Sequence, residues 1–131
     1  MARNDNRRIA VRPVAALGAA GDNSASYVNR AHRGVEVTVK HTAASGTNPT
    51  LTVKLQRHVP GAGWVDVAGA TTTALAGGTP ATTTLLVYPG CSASANAVVD
   101  HPLPPVWRLN YAVGGTSTPT VTFSVDAELL V

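Results

Sequence analysis

Three segments of the chain alternate apolar and polar residues without a break. They are Val35-Glu36-Val37-Thr38-Val39-Lys40, Leu51-Thr52-Val53-Lys54-Leu55-Gln56 and Val121-Thr122-Phe123-Ser124-Val125-Asp126. Side chains of an extended chain point to opposite faces in turn, so each segment has one apolar and one polar side. A helix would scatter these residues around its circumference, whereas a half-buried β-strand keeps them sorted. Two more strands follow from their turns: Trp64-Val65-Asp66-Val67 after Pro60-Gly61-Ala62-Gly63, and Thr84-Leu85-Leu86-Val87-Tyr88 before Pro89-Gly90. Leu85-Leu86-Val87 is apolar on both faces and reads as covered on both. For Trp64 the pattern leaves both faces open. Short strands at this spacing predict an all-β fold, an antiparallel β-sandwich (Ig-like or jelly-roll-like) of about six to eight strands.

The alternation also suggests partners. With Thr42 to Thr50 as a loop, His41 faces Leu51, Val39 faces Val53 and Val37 faces Leu55. With Gly114 to Thr118 as a second loop, Tyr111 faces Val121, Leu109 faces Phe123 and Trp107 faces Val125. Each hairpin then gathers its large apolar groups on one face, and a one-residue slip would mix the faces. Gly69 to Ala81 reads as a long exposed loop, and Cys91 to Val98 as a segment with a short helical turn. Pro102, Pro104 and Pro105 make a stiff entry to the Trp107 strand.

Residues 1–33 differ from the sandwich domain expected over 34–131. Ile9-Ala10-Val11 and Val14-Ala15-Ala16-Leu17 flank Pro13, which has no backbone donor and suits an edge strand. An extended N-terminal arm with a possible edge strand is expected, and deleting residues 1 to 20 should leave the sandwich folded. Charge is uneven: nine of the ten Lys and Arg residues and three of the seven acids lie at or before Pro60. Arg3, Arg7, Arg8 and Arg12 crowd the start, followed by Arg30 and Arg33. A solvated tail and a protein-contacting arm both fit. Nucleic acid fits less well, because no aromatic residues interleave with the arginines to stack bases.

Charged residues make up 13% of the 131-residue chain, about half the usual share. Hydroxyl-rich runs such as Thr71-Thr72-Thr73 and Thr82-Thr83-Thr84 carry its polarity instead. Such a surface loses little when a neighbour covers it, since few charges must shed water. Cys91 is the single cysteine, so no intrachain disulfide forms. No run of eighteen apolar residues suggests a transmembrane helix, and the polar start does not fit a secretory signal.

Catalytic and metal signals are weak. Cys91, Ser92, Asp100 and His101 lie close in sequence, but no turn presents a nucleophile and sequence neighbours seldom face one another. His32, His41, His58 and His101 show no short ligand spacing. A histidine such as His41, alone on a strand, reads as a polar surface residue. Gly77-Gly78 and Gly114-Gly115 are turn glycines with no phosphate-cradling pattern. No enzyme, cofactor, metal, nucleic-acid or membrane role is expected. Trp64, Tyr88 and Arg108 are the candidates for surface binding. Trp107 and Tyr111 belong to the core face. Arg108 opposes them and meets either solvent, a nearby acid such as Asp126, or a partner.

Arg33-Gly34-Val35-Glu36-Val37-Thr38-Val39, Thr47 to Gln56, Gly63-Trp64-Val65-Asp66-Val67-Ala68, Leu103 to Leu109 and Thr120 to Val125 together resemble small β-sandwich virion structural proteins of tailed bacteriophages. The resemblance spans about residues 33 to 130. It departs at Arg57 to Gly63, where family members often carry a Ser-Asp-Asp-Gly turn. What it implies is a capsid decoration (cement) protein on the virion head, made in the host cytoplasm. Such a protein binds the major capsid protein as a homo-oligomer, a trimer. The capsid contact would fall on Arg3, Arg7, Arg8 and Arg12. The alternative it leaves is a tail- or fibre-associated module that binds a host glycan through Trp64, Tyr88 and Arg108.

Overall fold

The computed structural model describes residues 5–76 and 79–131. The described residues form strands and loops with no helix. In chain order the strands are β1 (Arg7–Gly18), β2 (Asp22–Asn23), β3 (Tyr27–Val28), β4 (Gly34–Val59), β5 (Gly63–Thr71), β6 (Leu75–Ala76), β7 (Ala81–Val87), β8 (Val98–Val99) and β9 (Val106–Leu130). The fold is all-β, as expected, but the pairing is not the expected one. The two predicted hairpins are absent. Instead β4 and β9 are long strands that run antiparallel to each other, from Gly34 opposite Leu130 to Arg57 opposite Trp107.

This ribbon folds over on itself. Tyr111 and Phe123 lie twelve residues apart on β9, which extended chain would separate by about 40 Å. Their ring centroids are 5.3 Å apart. The bend falls where the β4–β9 register shifts, between His41 and Thr50. Asn48, Ser117 and Thr118 there have positive φ, as do Gly46 and Gly115. Gly115 is needed at this crossing, because a Cβ would lie 2.9 Å from the carbonyl oxygens of Thr47 and Asn48.

Folding the ribbon makes two layers from one hydrogen-bonded sheet. In layer one, β1, the C-terminal half of β9, the N-terminal half of β4, β7 and β8 lie side by side. In layer two, β2 and β3 pair with the N-terminal half of β9, and β5 and β6 with the C-terminal half of β4. All pairs are antiparallel except β7 with β8. The sides the alternation marks as apolar face each other: Val35, Val37, Val39, Leu51, Val53, Leu55, Leu109, Val121, Phe123 and Val125 are all 0% exposed. Each such side chain contributes on the order of 1.5–3 kcal/mol when buried.

Two local expectations change. Gly69 to Ala81 is not simply an exposed loop: Ala70 and Thr72 are buried, and Leu75–Ala76 pairs with β4. Thr72 is clamped to Val53, whose N–H donates to its Oγ1 (3.1 Å) and whose carbonyl accepts its N–H (2.9 Å). Cys91 to Val98 contains a tight turn rather than a helix, with the N–H groups of Ala97 and Val98 both donating to Ser94 O. The edge strand that the sequence allowed in the arm is present, as residues 7–18 bonded along β9.

Candidate functional site

The arginines expected at a partner contact separate into different environments. Arg3 lies outside the described residues. Arg7 and Arg8 are exposed at the start of β1, opposite Leu129 and Glu128. Arg12 turns inward. Plain alternation from Ile9 and Val11, which pack against the core, would aim Pro13 there too, but the register with β9 shifts between Ala10 and Arg12 and again before Ala15. The bulge puts Arg12 opposite the buried Val125. Its guanidinium lies 4.4 Å from the Phe123 ring centre and 5.6 Å from that of Tyr111. It donates to the carbonyls of Ala15 (3.3 Å) and Ala16 (3.4 Å). Arg12 therefore covers the open side of the core, whereas Arg7 and Arg8 stand out into solvent.

On the outer face of layer two, Trp64 and Asp66 point away from the core while Val67 is buried, which resolves the face left open by the sequence. Arg108 stacks on Trp64 at 4.4 Å, and His58 meets the same ring edge-on at 5.3 Å. A relay of hydrogen bonds crosses three strands here. Arg108 Nε donates to Gln56 Oε1 (2.9 Å), Gln56 Nε2 to Asp66 Oδ1 (2.8 Å), and Lys54 Nζ to Asp66 Oδ2 (3.0 Å). The bonds from Gln56 and Lys54 hold the Asp66 carboxyl below its ordinary pKa. Arg108 thus meets Gln56 and Trp64 rather than Asp126, which lies in layer one opposite Thr38.

Tyr88 does not join this group. Its ring fills the space where a side chain on Gly34 would sit, and its hydroxyl donates to Val131 O (2.9 Å). The three residues singled out for surface binding are therefore not one site: Trp64 and Arg108 cover each other, and Tyr88 packs at the chain end.

The nucleophile, acid and base candidates are each engaged locally. Asp100 accepts the Gly90 N–H (2.6 Å), Cys91 Sγ donates to Tyr88 O (2.9 Å), and the His101 ring bonds Pro102 O. His41 is 1% exposed within layer one, against the expectation of a surface residue. Among the described residues no group of three His, Cys, Asp or Glu side chains could hold a metal ion.

One concavity was not anticipated. A groove of about 530 Å³ opens at the end of the sandwich, between Arg57–Pro60 and His101–Pro105. Its sequence signal was the prolines, at Pro60 and at Pro102, Pro104 and Pro105. Strand patterning cannot bring the two segments together, because they lie in different turns.

No protein-family model matches this chain, and no curated protein does. Among solved structures, one described as a Bacillus endospore appendage, from a novel family of disulfide-linked pili, aligns at a TM-score of 0.47. It is 14% identical, with 100% of this chain and 95% of that chain covered. Function has to be read from the surface of this chain itself.

Proposed function

We propose that this chain is a non-enzymatic virion structural protein of a tailed bacteriophage, a capsid decoration protein that coats the assembled head as a trimer. The observation that carries the reading is β1. It ends one side of the sheet, with one backbone edge unpaired among the described residues, and it displays Arg7 and Arg8 to solvent. An edge strand can add main-chain hydrogen bonds to a neighbour, and its arginines suit an acidic shell surface. The remainder of the surface, rich in Thr, Ser, Ala and Gly, can be covered by adjacent subunits at little desolvation cost. Modest contacts repeated around a symmetric shell then add through multiplicity.

The test is binding of the purified protein to purified heads, with the copy number per particle counted by quantitative mass spectrometry. Coating predicts hundreds of copies and loss of binding in an Arg7→Glu/Arg8→Glu variant that keeps its fold. Full occupancy by that variant, or only a handful of copies per particle, would overturn the reading.

A further inference from the structure

We propose that the groove at the end of the sandwich receives an extended, acidic peptide segment of another protein. One wall is the β4–β5 turn, with Arg57 and His58 exposed; the other is the proline-rich run from His101 to Pro105. Leu103 is 5% exposed within the second wall. A third segment, residues 29–33, is bonded to that wall. Asn29 N–H donates to Pro105 O (2.7 Å), Asn29 Nδ2 to Leu103 O (3.2 Å), and Leu103 N–H to Arg33 O (2.8 Å). Arg30 and Arg33 are exposed on this segment.

Among the described residues the groove is lined by Arg57 and by no acidic residue. No ion pair involves Arg30, Arg33 or Arg57 among the described residues. Two acids are near this end, Asp100, which accepts the Gly90 N–H, and Asp5, whose backbone oxygen meets the His32 ring, but neither lines the groove. Arg57 lines the groove itself, and Arg33 adjoins its proline wall through its backbone; guanidinium groups so placed favour carboxylates, which they can bind through paired N–H donors. The walls explain why the occupant is a peptide. Proline rings are rigid apolar surfaces, so a chain laid along them loses little to reorganisation of the site. Nucleic acid fits poorly, because the aromatic rings near this end are already covered: Arg108 lies on Trp64, and Tyr27 packs 4.8 Å from Trp107.

This inference stands whether or not the chain coats a head, and its test uses the purified protein alone. Fluorescence anisotropy would compare a short labelled peptide alternating Glu and Val, its Lys and Val counterpart, and a labelled single-stranded DNA oligomer. The acidic peptide should bind saturably, more weakly as salt rises, while the lysine peptide does not bind. An Arg33→Ala/Arg57→Ala variant, checked for unchanged circular dichroism, should bind it about tenfold more weakly. No binding of the acidic peptide, undiminished binding by that variant, or tighter binding of the DNA would each overturn the proposal.

Discussion

At the scale of single residues, Tyr111 shows how tightly the inner face is filled. Its ring meets Phe123 edge-on while Arg12 reaches over both, and its buried hydroxyl has no hydrogen-bond partner among the described residues. Burial pushes that hydroxyl well above its ordinary pKa of 10.0, although the Arg12 charge pulls the other way. The folded state therefore keeps the proton at a pH where the unfolded chain has released it. This contribution is complete below about pH 10 and is lost as pH rises beyond it. Tyr111→Phe should change stability at neutral pH by less than about 1 kcal/mol, since it removes a hydroxyl without stranding a partner. Denaturant midpoints measured from neutral to strongly alkaline pH should fall less steeply for the variant than for the native protein. An identical alkaline decline would disprove the assignment. Tyr111 was legible as a core residue from its period-2 position. Arg12 was not, because a bulge that reverses which residues face inward depends on how β1 meets β9.

Among the elements, β1 is the one whose role the structure changes most. It covers β9 from Leu129 to Thr120 and packs Ile9, Val11 and Leu17 against the core. Removing residues 1–18 would uncover the Val121, Phe123 and Val125 row and leave a long unpaired strand edge. The expected result is a loss of more than about 3 kcal/mol, read as a lowered urea midpoint, or an insoluble product. A truncated protein with the native midpoint would contradict this. The sequence allowed an edge strand in this arm without naming its neighbour, because alternation specifies which face a residue occupies, not which strand lies beside it. The same ambiguity produced the two hairpins. Val37 and Val39 face inward equally well beside Leu55 and Val53 or beside Ala127 and Val125, and only the second arrangement occurs. The Trp64 relay was hidden for a related reason, since it joins β4, β5 and β9 across strands that are distant in sequence.

For the molecule as a whole, the folded ribbon makes the two layers inseparable. β4 and β9 each belong to both, so neither layer can detach while the other keeps its strands. Native-state hydrogen exchange should therefore give the amides of Val37, in layer one, and Leu55, in layer two, the same free energy of opening. Two well-separated values would mean that the layers unfold independently. The class of fold was legible because the apolar faces are encoded residue by residue. The groove was not, because it is assembled from a turn and a proline run that meet only after the ribbon closes. The same closure sets residue 131 beside residue 6. Asn6 Oδ1 accepts the N–H of Val131 (3.0 Å), and Tyr88 holds the Val131 carbonyl. A passenger fused beyond residue 131 would thus emerge beside the start of β1, so a bulky cargo attached there would crowd Arg7 and Arg8, whereas an insertion at the Gly61-Ala62 turn would leave that corner clear.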